Sequence, residues 1–412
     1  MRRLKFIITT LVSVLICMLA LCACGAPEQV GGEGGGEGGG TIVGGDTPST
    51  GGGTVSIVSR ICIDTSDSPI ELPYAVEGGD GEVTWKSDYS SIAVVDEGTL
   101  YPVSPGITNV TASTGTSSVT FEVEVTNIYG SYTKLRSVKD IENLISNKGY
   151  TKSNAKYCLA ADIDFGGKTI EPMGSWEDGK NVFAATIDGR GYALKNFTIE
   201  NPSACKTVNE DTGEEQYFGV SLFPVIKGGT VSNLNLIGVN FSGFGFVGGV
   251  CGKLDSGLIE NCFVQGTVNS TAGFESCVPT GGICGIIGAK GVVKNTFIDL
   301  DVLGGFVFAG FNFGTGSNCA ARGGSITAIR NGEELMLQTD DTGKTGEEGK
   351  AENEQLKQFD SSTSVILVET QLTNLKNYKF DNDANWAIKH GYMAFIARPD
   401  GVAPDWAKIN LT

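Results

Sequence analysis

The chain has 412 residues, 11 cysteines, a single histidine and a formal charge of −17. So acidic a protein is repelled by nucleic acid and by anionic lipid. One histidine, His390, excludes a histidine-based metal centre and a Ser-His-Asp triad. No nucleotide site is expected either: Gly343-Lys344-Thr345 suggests a phosphate loop, but position 338, where the first glycine belongs, is Gln338.

Residues 1–23 read as an export signal, with Arg2, Arg3 and Lys5 ahead of the apolar run Phe6 to Leu21. Leu21-Cys22-Ala23-Cys24 resembles the lipobox of bacterial lipoproteins. That resemblance implies a diacylglyceryl group on Cys24, a membrane partner reached through the lipid, and a place on the outer face of the cytoplasmic membrane. Residues 24–53 are mostly glycine and form a tether with almost nothing to bury.

Residues 54–127 change character. Short apolar runs separated by turn residues predict six or seven strands, and Val119, Phe121, Val123 and Val125 alternate as in a half-buried strand. "VTWKSDYSSIAVVDEGTLYPVSPGITNVTAS" resembles the group 2 bacterial immunoglobulin-like domain, through Trp85, Ser87, Ile92 to Val95, Gly98, Pro105-Gly106, Val110 and Ala112. The resemblance implies a β-sandwich with Trp85 between its sheets, used in surface proteins as a spacer.

From residue 132 to about 410 the pattern changes again. "SVKDIENLISN" predicts a helix capped by Ser137, with Val138, Ile141, Leu144 and Ile145 on one face to cover the end of a stack of strands. A repeat follows. Aligning Asn196, Asn233, Asn261 and Asn295 gives steps of 37, 28 and 34 residues, with Leu222, Val250 and Ile283 matching upstream of the last three. Two strands per unit, stacked in parallel, predict a right-handed β-solenoid. Cys262, Val264, Ile298, Leu300 and Val302 then face inward, and Phe263, Gln265, Phe297, Asp299 and Asp301 outward. On that parity Val264→Asp unfolds the domain and Gln265→Asp is nearly silent. The repeated Asn is expected at a corner, bonded to backbone groups.

"LAADIDFGGKTIEPMGSW" followed by "FAATIDGRGYALKNFTIE" and "GFVGGVCGKLDSGLIENCFVQGTV" resembles the GLUG-motif surface proteins of bacteria. The tail with Trp386, Ile388, Gly391 and Tyr392 resembles how such domains end, and Cys251 and Cys284 stand where that family has Val or Leu. The combined expectation is all-β: an Ig-like β-sandwich, then a right-handed parallel β-helix with a short N-terminal capping helix.

Of the eight cysteines beyond the signal region, Cys251 and Cys284 hold equivalent repeat positions, so they are expected stacked inside as a ladder or a disulfide. For chemistry, Asp299 and Asp301 are the best carboxylate pair, about 7 Å apart on one strand face, with Arg322 or Arg330 as neighbours. Against catalysis stands the simpler reading of a solvated face. For binding, Phe306, Phe308, Phe311 and Phe313 crowd together, and aromatic platforms stack on sugars or on partner proteins. The acidic segment 339–361 has the composition for weak calcium binding but no ligand spacing; no cofactor is expected. Adhesion or glycan or surface-protein binding without catalysis is the favoured function. A polysaccharide lyase or hydrolase and a passive wall component are the alternatives.

Overall fold

The computed structural model describes residues 53–322, apart from 58–59, 73, 78–81, 115–116, 177–178 and 273–279, together with 326–330, 333–337, 364–367, 378, 386–389 and 392–395. The signal, Cys24, the tether up to residue 52, Cys277 and the acidic segment 339–361 lie outside the described residues. Strand accounts for 58% and helix for 7%, so the chain is all-β. Residues 51–412 make one compact unit, built on two separate hydrophobic cores.

The smaller core belongs to nine strands: β1 (Thr54–Ile57), β2 (Arg60–Asp64), β3 (Ile70–Glu71), β4 (Tyr74–Glu77), β5 (Thr84–Ser87), β6 (Ala93–Asp96), β7 (Thr99–Pro102), β8 (Gly106–Ser113) and β9 (Ser118–Thr126). They form a four-stranded sheet ordered β2-β9-β8-β5, a three-stranded sheet β3-β7-β6 and the pair β1-β4. Phe121, Val123 and Val125 are buried, as the alternation along β9 requires, and meet Ile61, Ile63, Ala93 and Leu100 in one cluster. Trp85 is not central. It sits half-buried on edge strand β5, edge-on to Tyr74 and Phe121 at 5.1 and 6.4 Å, and Phe121 fills the middle instead.

The larger core is enclosed by two parallel sheets that the chain builds alternately. The first contains β10 (Thr133–Leu135), β11 (Lys156–Leu159), β13 (Thr186–Asp188), β17 (Phe223–Ser232), β19 (Cys251–Glu260), β22 (Cys284–Lys294), β25 (Ala309–Asn312) and β26 (Thr315–Ser317). The second contains β12 (Ile163–Thr169), β14 (Ala193–Glu200), β18 (Asn235–Gly243), β20 (Phe263–Ser270), β23 (Phe297–Leu303), β27 (Ala320–Arg322), β28 (Ile326–Arg330), β29 (Glu333–Leu337) and β30 (Val365–Leu367). Small pairs decorate these: β15 (Lys206–Val208) with β16 (Glu215–Tyr217), β21 (Thr280–Gly281) with β24 (Gly305–Phe306), and β31 (Trp386–Lys389) with β32 (Tyr392–Phe395). Each return of the chain adds a rung, one strand to each sheet. Helix α1 (Val138–Asn147) carries a capping box between Ser137 and Asp140 and lays Ile141 and Leu144 into the same core.

The parity predicted for the repeat is present: Cys262, Val264, Ile298, Leu300 and Val302 are all buried in this core. On the outward face Phe263 and Phe297 are also buried, stacked at 5.3 Å, with Tyr378 over Phe297 at 5.1 Å. The C-terminal segment thus covers that part of the sheet, which a two-face pattern does not reveal.

The repeated Asn is a corner residue in an unusual backbone state. Asn233, Asn261, Asn295 and Asn318 have φ between 48° and 53°, the left-handed region that Asn tolerates better than other chiral residues. Their side chains bond to one another, not mainly to backbone: Asn261 Nδ2 donates to Asn233 Oδ1 at 3.0 Å, and Asn233 Nδ2 to Asp188 Oδ1 at 2.9 Å. Asn196 is not part of this column. The register pairs Ala193 with Asn235, so the corner opposite Asn233 is at Gly189 to Gly191. Asn196 sits at an irregularity inside β14 and donates to Asp164 at 2.9–3.0 Å. The first step of the sequence alignment is therefore displaced by a few residues.

The two cores are joined by a buried polar junction. Arg190 gives both terminal nitrogens to Asp67, at 2.5 and 3.2 Å, and its guanidinium lies 4.4 Å from the centre of the Tyr129 ring. Tyr129 in turn donates to Asp188 at 2.6 Å, and Lys134 to Asp67 at 2.7 Å. Burial would raise the Asp67 pKa, but the bonds from Arg190 and Lys134 overcome it and hold the carboxyl at about 2. Asp64, fully buried, accepts from Ser66, Thr126 and the Tyr129 backbone and fixes the linking segment.

Candidate functional site

The four phenylalanines singled out in the sequence have different fates. Phe308 is 1% exposed. It continues the inward column Leu222, Val250, Ile283, because Phe223, Cys251, Cys284 and Ala309 pair in register one residue further on. Phe308 is thus corrected from ligand-facing residue to core. Phe306 is half-buried on β24. Phe311 is half-buried and Phe313 is 60% exposed, their rings 6.1 Å apart.

Phe311 and Phe313 are the end of a longer strip. Phe311 lies 6.2 Å from Phe246; Phe246 lies 5.6 Å from Trp176 and 6.2 Å from Phe218; Phe218 lies 6.5 Å from Trp176 and 5.3 Å from Phe244. All of these rings are partly exposed. They come from the segments by which successive rungs approach the first sheet. Phe218 and Phe246 each stand five residues before the strand that follows, β17 and β19.

Glycines let these segments lie so close. Trp176 rests on Gly219, where a Cβ would come within 2.0 Å of the indole. A Cβ on Gly285 would come within 2.2 Å of the Phe246 carbonyl. Phe246 itself has φ 53°, a left-handed state that a bulky aromatic residue adopts at a cost of roughly 1–3 kcal/mol. Such strain is retained where the surroundings hold it, and here it turns the ring into line with its neighbours. The nearest charges are paired: Lys206 with Glu215, which also accepts from Tyr217 at 2.9 Å, and Lys227 and Lys253 with Asp255 at 3.9 and 3.5 Å. The Lys206 hydrogen bond, with that of Tyr217, holds Glu215 below the usual carboxylate range.

The carboxylates lie on the other sheet. Asp299 is paired with Arg322 at 3.6 Å and accepts from Gln265 at 3.2 Å. Asp301 is exposed, in register with Thr267 and, one strand further, Asn240. Partial burial and the Asp299 charge raise its pKa. The structure therefore brings Arg322 to Asp299, as one of the two basic neighbours weighed from sequence; the side chain of Arg330 lies outside the described residues. Asp162, Asp164 and Asp188 are turn acceptors, bonded to the backbone nitrogens of Ala193, Gly166 and Arg190.

Cys251 and Cys284 are directly opposite in adjacent strands, both fully buried and both free thiols. Burial, then the neighbouring Cys251, pushes the Cys284 thiol far up. Among the described residues no cluster of three or more His, Cys, Asp or Glu side chains is arranged to hold a metal ion.

No family model matches the chain, and neither the curated proteins nor the solved structures provide a match.

Proposed function

We propose that this is a non-catalytic glycan-binding adhesin of the cell surface. Lipid on Cys24 and the glycine-rich tether hold it to the membrane, an Ig-like β-sandwich carries it outward, and a right-handed β-helix presents the binding surface. The observation that supports this reading is the aromatic strip Trp176, Phe218, Phe246, Phe311, Phe313, in which ring follows ring at 5.6–6.5 Å without a break. Aromatic faces and edges take up the C–H faces of sugars while hydroxyls stay in water, as an amphipathic ligand requires. The test is retention of the full chain on a panel of immobilised polysaccharides, beside its Trp176→Ala variant, with new reducing ends assayed in parallel. Retention that the variant loses, without new ends, supports the reading. Retention equal in both removes the strip from the account.

One observation favours a second reading, cleavage of a polysaccharide at Asp299 and Asp301. The raised pKa of Asp301 beside an ion-paired Asp299 is the kind of separation that divides acid from base. New reducing ends abolished by Asp301→Asn would establish it and displace the adhesin reading.

A further inference from the structure

The strip is periodic, and its period constrains the ligand. Trp176, Phe218, Phe246 and Phe311 come from different rungs, with neighbouring rings 5.6–6.5 Å apart. Neighbouring parallel strands lie about 4.8 Å apart, so a ligand that follows the rings advances along the stacking direction, across the strands. A rise of that size suits one sugar of an extended polysaccharide. A tightly coiled glycan rises less per sugar and leaves successive rings unused.

Charge narrows the class further. The cations flanking the strip are Lys206 on the β15–β16 hairpin, Lys227 on β17 and Lys253 on β19; Lys253 lies in the same register column as Ile286 and Phe311. Each is matched by a carboxylate, Glu215 or Asp255. The chain as a whole carries −17. A uronate or sulfated polymer would meet repulsion in place of a counter-charge.

We propose that the ligand is a neutral, extended polysaccharide lying parallel to the stacking direction, its sugars seated on successive rings from Trp176 to Phe311, with Phe313 at one end. This rests on the reading of the strip as a glycan site. Binding is then a sum over rings. Affinity rises with oligomer length until each ring has its sugar, then levels off, and is insensitive to salt.

The experiment is calorimetric titration of the full chain with cello-oligosaccharides of increasing length, with amylose, and with polygalacturonate at low and high salt. The expected result is binding of the cello-oligosaccharides with length dependence and a plateau. Phe311→Leu lowers the affinity of long oligomers roughly 2- to 10-fold, the worth of one aromatic contact, and leaves that of the shortest binding oligomer nearly unchanged. Phe313→Ala, at an exposed position where folding is unaffected, gives the same selective loss. Tighter, salt-sensitive binding of polygalacturonate, or preference for amylose, overturns the neutral extended class while leaving a glycan site in place. Affinity independent of length overturns the one-sugar-per-ring seating. Failure of every glycan, with a protein captured through the same rings, overturns both this inference and the reading beneath it.

Discussion

Replacing Arg190 by alanine is expected to uncouple the two cores. The guanidinium is 3% exposed and serves Asp67 and the Tyr129 ring at once. Removing one partner of a buried ion pair typically costs 3–5 kcal/mol, because a desolvated charge is left behind. Lys134 remains 2.7 Å from Asp67 and offsets part of this, while the cation–π contact adds about 1 kcal/mol to the loss. The net expectation is about 3 kcal/mol, or 6–12 °C at roughly 2–4 °C per kcal/mol. Differential scanning calorimetry should show one transition in the parent and two in Arg190→Ala, the first from residues 54–126. Proteolysis should appear in the segment 127–132. The sign with pH follows from Asp67. Its folded pKa, about 2, lies below the ordinary aspartate value, so its contribution is complete above about pH 4 and is lost as pH falls through 2. That share is about 1–2 kcal/mol after allowance for water at the partly accessible site. A single unchanged transition in Arg190→Ala, shifted by less than about 1 °C, would refute the junction as the coupling element.

Three further outcomes are expected. Val264→Asp places a carboxylate in the larger core, where Val264 is fully buried, and should abolish folding by far-UV circular dichroism, whereas Gln265→Ala should cost under about 1 kcal/mol. Gln265→Asp is no longer expected to be silent, since Gln265 donates to Asp299 and the new carboxylate would face a like charge. Gly219→Ala should displace Trp176 and redden its fluorescence relative to the parent, with a loss of stability of about 1–3 kcal/mol from the clash and the positive φ of 66°; an unchanged spectrum would place the indole elsewhere. Native protein at pH 9 should leave Cys262 and Cys319 unalkylated by iodoacetamide, because burial pushes both thiols up to about 12; rapid labelling of either would show that the core opens.

Much of this architecture is legible in the residues. Alternation along Val119 to Val125 and after Asn261 and Asn295 reports which side chains point inward, because a strand has a period of two. The Asn column is legible as a corner, since a polar residue recurring at the head of each strand has few other uses. Register between rungs is less so. A corner with extra residues, as at Asp188 to Tyr192, shifts the count, and Asn196 then imitates the wrong position. The covering of Phe263 and Phe297 by Tyr378 depends on a segment more than 80 residues further on, beyond any local pattern. The binding strip was half visible. Phe311 and Phe313 are neighbours in sequence, but Trp176, Phe218 and Phe246 are spread over some 70 residues and meet only because rungs stack. Their signal was available: Phe218 and Phe246 hold the same offset from Phe223 and Cys251, the residues that open β17 and β19.

The most direct test of the central claim is saturation-transfer NMR, irradiating the aromatic protons of the full chain in the presence of cello-oligosaccharides. The account predicts transfer to the ring C–H protons of the sugars, lost in a Trp176→Leu/Phe246→Leu variant that keeps its fold. Binding that persists in the variant, or binding with no transfer from aromatic protons, would contradict it.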